Sequence, residues 1–355
     1  MVKLYVITDW YETRYFSTGG TRNKKVYVNP IDGEYYFFKE SLKKGNRDYK
    51  YEFWSEIIAS EIGELLGFNV LKYHIAIRGE VVGCISKSMI NQASDELIEG
   101  GKYLQAFDST FNPEDIKLRY KYDFDLIKRA LDAFEKSNYL KELIEIIVFD
   151  ALIGNSDRHQ ENWAIINSHT LLSEGFAQIE RDVVSGNLEG IPLWLRRIMS
   201  RVFMTKGKIR PEVKTARLML PKNTKFAPIY DSGCSFGREL DDGRVKLMLE
   251  KQEELERYVS KGLSEIHWDG EKISHFDLLK YLIGKEEFKN RVLQSLKRVI
   301  ERFDYKTIEH VILSVDKEIV DSGNKNILPK ERKELVLKLL SLRLEKLGEI
   351  YSQHK

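Results

Sequence analysis

The 355-residue chain carries two cysteines, Cys84 and Cys234, far apart and each within an apolar or glycine-containing stretch. That excludes a disulfide framework and fits a reducing compartment, with both thiols read as small buried packing residues. No uninterrupted apolar run reaches about 18 residues, which excludes a membrane-spanning helix. The opening MVKLYVITDW meets a charge and an aromatic before a secretory apolar segment could form, so the expectation is a cytoplasmic protein with no membrane partner. An excess of one charge is lacking too. With 57 basic and 55 acidic residues the net charge is +2, which gives no global field for holding nucleic acid. Internal repeats and low-complexity tracts are absent. What is present, 42% hydrophobic and 32% charged residues, is the make-up of a globular protein long enough for a two-lobed unit or two domains.

The first ninety residues read as strands around one helix. Lys3 to Thr8, Lys25 to Val28, Glu34 to Lys39, Tyr73 to Ile77 and Glu80 to Met89 are short runs rich in Val, Ile, Tyr and Phe. Between them Phe53, Trp54, Ile57, Ile58, Ile62 and Leu65 recur at helical spacing, predicting an amphipathic helix over Glu52 to Leu66 that stops at Gly67. From about residue 120 the period changes to 3.6. Helices are predicted over Asp123 to Phe134, Tyr139 to Ile153, Arg244 to Tyr258, Phe276 to Ile283, Glu287 to Phe303, Thr307 to Val320 and Pro329 to Tyr351. The fold class is therefore α+β: a small β-rich N-lobe (1–92) and a large helical C-lobe (93–355) ending in a helical bundle, with a ligand-binding cleft between the lobes.

The chemistry sits in Asp150-Ala-Leu-Ile-Gly-Asn-Ser-Asp157-Arg158-His159-Gln-Glu-Asn162-Trp-Ala-Ile-Ile166, where a buried helix ends at Gly154, a polar loop follows and a short strand resumes. Phosphoryl transfer needs a carboxylate to orient the acceptor hydroxyl and an oxygen donor to hold magnesium. Asp157 and Asn162, five apart on one loop, supply both. A second metal-bridging carboxylate is expected after a strand, and Pro228-Ile-Tyr-Asp231-Ser-Gly233 offers Asp231, with Gly233 expected to make the tight turn.

The loop Gly-Asn-Ser-Asp157-Arg158-His159-Gln-Glu-Asn162, with its histidine after the aspartate, resembles the catalytic loop of HipA-type serine/threonine kinases and of phosphoinositide kinases. Phe16-Ser17-Thr18-Gly19-Gly20-Thr-Arg-Asn-Lys24 is similar to the HipA-type phosphate loop. Tyr35-Tyr-Phe-Phe-Lys39 resembles the strand bearing the ATP-contacting lysine, and Ser55-Glu56-Ile-Ile the helix whose glutamate pairs with it. The resemblance spans about residues 14 to 300. It implies a protein-kinase-like fold binding ATP and Mg2+, with Ser17, Thr18, Gly19, Gly20, Lys24 and Lys39 on the phosphates. Adenine is expected near Ser86 to Ile90, against Ser88, Met89 and Ile90. Asn162 and Asp231 would be the metal ligands, Asp157 the catalytic acid/base, and His159 a brace for the loop.

The resemblance further implies a Ser/Thr-bearing protein substrate, an antitoxin-like partner, and autophosphorylation of Ser17 or Thr18 that would repel ATP. It also implies a short form without the N-terminal subdomain of full-length HipA toxins, similar to cell-translocating and split HipA kinases, which leaves transfer into a host cell open.

Blander readings stand beside these. Asp157 could cap its own turn, Ser17 to Lys24 could be a plain hairpin, and Glu52, one turn before Glu56, competes for Lys39. Departing from the resemblance, an insertion at 168–225 holds a helix candidate (Leu193 to Met204) and a basic stripe of Lys206, Lys208, Arg210, Lys214, Arg217, Lys222 and Lys225. The stripe is either a solvated face or a dock for RNA or an acidic protein surface. Rival functions are a lipid or small-molecule kinase, a nucleotide-binding pseudokinase module, and a nucleic-acid binder.

Overall fold

The β-branched and aromatic runs near the N-terminus pair into one curled sheet. In the computed structural model, which describes residues 2–13, 25–44, 47–92, 94–112, 115–171, 204–205, 208–209, 219–324 and 326–355, two compact units can be distinguished. The larger comprises Met1–Met89, Glu99–Ala164 and Ala227–Lys355; the smaller comprises Ile90–Ile98 and Ile165–Phe226.

The larger unit begins with β1 (Leu4–Val6), β2 (Tyr11–Thr13), β3 (Lys25–Val28) and β4 (Tyr35–Lys39). A short ladder of β5 (Lys43–Lys44) and β6 (Arg47–Asp48), helix α1 (Glu52–Leu65), β7 (His74–Arg78) and β8 (Val81–Lys87) follow. Six of these strands form a sheet in the order β1-β7-β8-β4-β3-β2, parallel only between β1 and β7. Although consecutive in the chain, β1 and β2 occupy opposite edges, as a curled sheet allows. Trp10, between them, meets both Tyr5 (5.9 Å) and Tyr36 (5.3 Å) at edge-to-face angles.

Strand alternation then places the key lysine. Tyr36 and Phe38 join Ile7, Tyr27, Ala76 and Ile85 in a core on one face of the sheet, so parity turns Lys39 to the opposite face. There α1 packs against β8. The helix is less amphipathic than its spacing predicts: every residue from Glu52 to Gly63 is buried, three glutamates included. The second covering surface is the chain around Ser235, whose carbonyl accepts from the Ser55 hydroxyl at 3.2 Å. As expected, Gly67 follows the helix in the left-handed region, at φ +77°.

The rest of the larger unit is helical: α2 (Gly100–Phe107), α3 (Phe124–Ala133), α4 (Leu140–Ile153), α5 (Asp242–Glu250), α6 (Gln252–Ser260), α7 (His275–Ile283), α8 (Glu286–Arg302), α9 (Tyr305–Ser314), α10 (Lys317–Asp321) and α11 (Lys330–His354). The central helix is α4, apolar nearly all round and packed against α7, α8 and α11. Each of its fully buried aliphatic side chains contributes roughly 1.5–3 kcal/mol, so the loop that leaves its end at Gly154 starts from a rigid point.

Two predicted helices are split. The one over Arg244 to Tyr258 breaks at Lys251, which takes an extended conformation, closes α5 and opens α6 with its own carbonyl. The one over Thr307 to Val320 breaks at Asp316, whose carboxylate accepts from the Leu328 amide (3.0 Å) and Lys333 (2.6 Å). The second is a tertiary demand, and neither break is registered by apolar periodicity.

In the smaller unit β9 (Asp95–Glu99), β10 (Ala164–Leu171) and β13 (Met219–Phe226) form a sheet in the order β13-β10-β9, and β11 (Met204–Thr205) pairs with β12 (Lys208–Ile209). Met204 is therefore in a strand, whereas it was expected to end a helix; the rest of that candidate, from Leu193, lies outside the described residues. So do Lys206, Arg210, Lys214 and Arg217 of the basic stripe and the whole Ser17, Thr18, Gly19, Gly20 and Lys24 loop; Lys225 is exposed. Among the described residues no helix is long and apolar enough to cross a membrane.

One buried group predicts acid sensitivity. His275 starts α7, 2% exposed, and among the described residues its Nε2 has no hydrogen-bond partner. Burial, with Arg343 and Lys272 adding to it, lowers its pKa from 6.5 to about 3. The unfolded chain thus takes up a proton near pH 6.5 that the folded chain refuses. Stability from this group should be complete above pH 6.5 and fall as pH drops toward 3, by up to about 1.4 kcal/mol per pH unit. Urea unfolding at pH 7 and pH 5 should show the loss, and His275→Leu should flatten it.

Candidate active site

The loop after α4 is organised by a residue that sequence reasoning passed over. Gly154 closes α4 in the left-handed region, at φ +69°, and Asp150, on the last turn, turns its carboxylate inward. Arg158 meets it with both Nε (2.9 Å) and Nη2 (2.8 Å). The same guanidinium donates to the carbonyls of Asn162 (2.9 Å) and Tyr230 (2.5 Å) and to the Ser232 hydroxyl (3.2 Å). Burial alone lowers a guanidinium, but the Asp150 carboxylate outweighs it and holds Arg158 above its usual value. One arginine, 1% exposed, therefore joins both ends of the Asp157 to Asn162 loop to the segment around Asp231.

Further bonds close the same loop. Asn162 donates its amide Nδ2 to the Asp157 carbonyl (2.6 Å) and its backbone N–H to the His159 carbonyl (2.9 Å). His159 Nδ1 accepts from the Glu161 N–H at 3.3 Å, which makes its ring part of the loop's internal bracing. Asp157 faces the Asp231 turn directly: its Oδ2 accepts from the Cys234 thiol at 3.3 Å, while the Ser156 N–H donates to the Cys234 carbonyl at 3.2 Å.

Across from this loop stands Lys39, 7% exposed. Its Nζ donates to Glu56 and, at 2.6 Å, to Asp231 Oδ1. Glu56 in turn accepts the Ser232 N–H at 2.8 Å. Burial raises the Glu56 carboxyl above its usual range; Lys39 opposes that and Asp231 adds to it. The competing glutamate is occupied elsewhere, since Glu52 accepts from the Leu42 N–H (3.1 Å) and pairs with Arg238 (3.5 Å). Asp231 itself adopts φ +56°, a left-handed conformation that aspartate tolerates better than most residues, and its N–H donates to the Tyr73 hydroxyl at 3.4 Å.

Gly233 plays a different part from the one expected. The positive φ belongs to Asp231, and glycine is needed at 233 for closeness: a Cβ there would lie 2.9 Å from Glu56 Oε1 and 3.0 Å from Glu52 Cγ.

Lys39, Glu56, Asp157, His159, Asn162 and Asp231 are thus linked through one network of short bonds. Ser88 follows β8, with its N–H on the Tyr35 carbonyl (2.8 Å), and is half-buried like Met89; Ile90 opens the smaller unit. The signal that could have exposed Arg158 is its place inside the polar loop, eight residues after an aspartate on an otherwise apolar helix.

A small sheet lobe with a glutamate-paired strand lysine, and a helical lobe whose first buried helix feeds a polar loop, make a kinase-like two-lobed fold. The crystal structure of a Helicobacter pylori proinflammatory kinase, CtkA, shares it, with TM-score 0.69 and 18% identity over 99% of this chain and 98% of that one. A Shewanella oneidensis MR-1 toxin–antitoxin structure of HipA, HipB and operator DNA aligns at TM-score 0.38 and 12% identity, over 89% of this chain and 58% of that one. No family model matches the sequence. No curated protein matches it either.

The Arg158 hub makes a stability prediction. Arg158→Met leaves the Asp150 carboxylate buried without its cation, which costs about 3–5 kcal/mol. Asp150→Asn/Arg158→Met, which removes both charges, should recover part of that loss in chemical denaturation.

Proposed function

We propose that this chain is a Mg-ATP-dependent serine/threonine protein kinase of the HipA-like type. The observation that carries the reading is the buried Lys39 ammonium bonded to both Glu56 and Asp231, with the Asp157 to Asn162 loop tied to the same turn. A cation fixed beside a carboxylate at the end of an interior sheet strand is suited to hold nucleotide phosphates, and a polar loop opposite it to present an acceptor hydroxyl. The catalytic-loop resemblance and the shared fold with a bacterial kinase support the same reading.

The residues fit a magnesium ion. Asn162 and Asp231 offer hard oxygen donors, and because the Asn162 Nδ2 donates to the Asp157 carbonyl, the Asn162 oxygen takes no part in that bond. Two protein oxygens completed by nucleotide phosphates is the usual donor set for Mg2+; when bound, the ion neutralises charge building on the transferred phosphoryl group. In the proposed mechanism Lys39 holds the phosphates and Glu56 holds Lys39. Asp157 orients the substrate hydroxyl and accepts its proton, and His159 keeps the loop in shape. Ser17 or Thr18 is the proposed autophosphorylation site, and the substrate is a protein bearing a Ser or Thr acceptor.

The test is phosphate transfer from radiolabelled ATP to lysate proteins. Wild type should label protein and Asp231→Asn should not. Asp157→Ala should lose about 100-fold or more in rate with ATP affinity nearly unchanged. Equal rates for wild type and Asp157→Ala would remove Asp157 from the chemistry, and no labelling by wild type would overturn the kinase reading. Mass spectrometry of protein incubated with ATP should find phosphate on Ser17 or Thr18.

A further inference from the structure

The C-terminal helix α11 carries two buried arginines, Arg332 (5% exposed) and Arg343 (3%). Eleven positions separate them, about three turns, so they leave nearly the same face of the helix roughly 16 Å apart. Arg332 donates to the Gly237 carbonyl at 3.1 Å and to the Leu240 carbonyl, and lies over the Tyr51 ring at 4.6 Å. It therefore holds the chain that continues from Asp231. Arg343 donates to the Ala151 carbonyl at 3.0 Å, one of the last four carbonyls of α4, which lack partners within their own helix. It therefore holds the helix end from which the Asp157 loop departs.

The fit around Arg343 is tight on two sides. A Cβ on Gly154, the residue that opens the loop, would lie 2.7 Å from its guanidinium, and one on Gly262 would lie 2.9 Å from it. Among the described residues no carboxylate lies in ion-pair range of Arg343. Glu239 acts on it only from beyond ion-pair distance; a buried cation so weakly compensated is expensive for a helix to carry, and an apolar side chain would fill such a place at lower cost. What an apolar side chain lacks is the reach to a main-chain carbonyl. Arg332 does have an acid within reach, Asp242 at 3.2 Å, but that carboxylate is largely exposed.

We propose that α11 is a rigid spacer that sets the relative position of the Asp157 loop and the Asp231 turn, with Arg332 and Arg343 as positioning residues. This rests on the kinase reading only where catalytic rate is concerned; the geometric claim stands apart from it. A helix held at both loops transmits a displacement at one to the other, because α11 is one continuous element and the two loops are already bonded together through Arg158 and Cys234.

The experiment uses the full chain and three variants, Arg332→Lys, Arg343→Lys and the double. Lysine keeps the charge and the stem but lacks the planar fork that grips carbonyls. Amide hydrogen exchange is followed in 154–162 and 231–240, together with phosphotransfer rate and thermal stability. Each single variant should speed exchange about tenfold in both segments and lower kcat about tenfold with little change in KM for ATP. The double variant should be no slower than the worse single, and its stability loss should fall short of the sum of the two single losses, as for coupled sites. If each variant speeds exchange only in the segment its own guanidinium touches, or if the kcat losses multiply, α11 is packing and the proposal is overturned. Where Arg343→Lys does not fold, Gly262→Ala displaces the guanidinium without removing it and is held to the same outcomes. A wild type that transfers no phosphate defeats the kinase reading, and the exchange data still decide for or against the spacer.

Discussion

The arrangement depends on one buried cation shared by two acids. Lys39 leaves the sheet on the face opposite its aromatic core, enters a space lined by α1 and the Asp231 turn, and finds Glu56 and Asp231 there. Removing an ammonium from water costs several kcal/mol, and it persists only where paired and hydrogen-bonded. Every element that meets at this point is constrained by that requirement. Strand parity must aim Lys39 inward, α1 must present Glu56 rather than Glu52, and residue 233 must be glycine so the turn can approach both glutamates. The Ser232 N–H on Glu56 completes the satisfaction of that carboxylate.

The second constraint is that the polar loop and the Asp231 turn come from chain segments some seventy residues apart, and nothing local brings them together. Arg158 does so from the interior. It spends two bonds on Asp150, which anchors it to the rigid end of α4, and its remaining donors on main-chain and hydroxyl oxygens of both segments. The bond from Cys234 to Asp157 and that from Ser156 to Cys234 then fix the loop against the turn in detail.

Much of this could be read before any coordinates. The apolar approach to Lys39, the helix carrying Glu56 and ending at Gly67, the helix ending at Gly154, and the order Asp157, Asn162, Asp231 are all written in local pattern, because periodicity and helix-stop signals are properties of neighbouring residues. The sequence favours Glu56 over Glu52 as the partner of Lys39 without excluding Glu52, since both sit on nearby surfaces of one helix; the bond from the Ser232 N–H to Glu56 and the pairing of Glu52 with Arg238 separate the two. The roles of Arg158, Arg332 and Arg343 have no local mark in the sequence, because inward and outward arginines look the same until their distant carbonyl partners are placed. The break at Asp316 escapes for the same reason: the apolar repeat runs through it, and the Leu328 amide and Lys333 that engage its carboxylate lie beyond any local window.

The division of labour between the cations has a physical basis. Where the protein needs a fixed joint it uses arginine: 158 between two loops, 332 on the chain after Asp231, 343 on the end of α4. A guanidinium offers five donors in one rigid plane, so each hydrogen bond it makes constrains the geometry of the next. Where the proposed chemistry needs a charge that can exchange a carboxylate for a phosphate, there is a lysine, whose three donors rotate about a flexible stem. An arginine at position 39 would be locked by its own fork to Glu56 and Asp231, and a lysine at position 158 could not reach Asp150, Asn162, Tyr230 and Ser232 at once. The two residue types are placed according to whether a contact must hold or must yield.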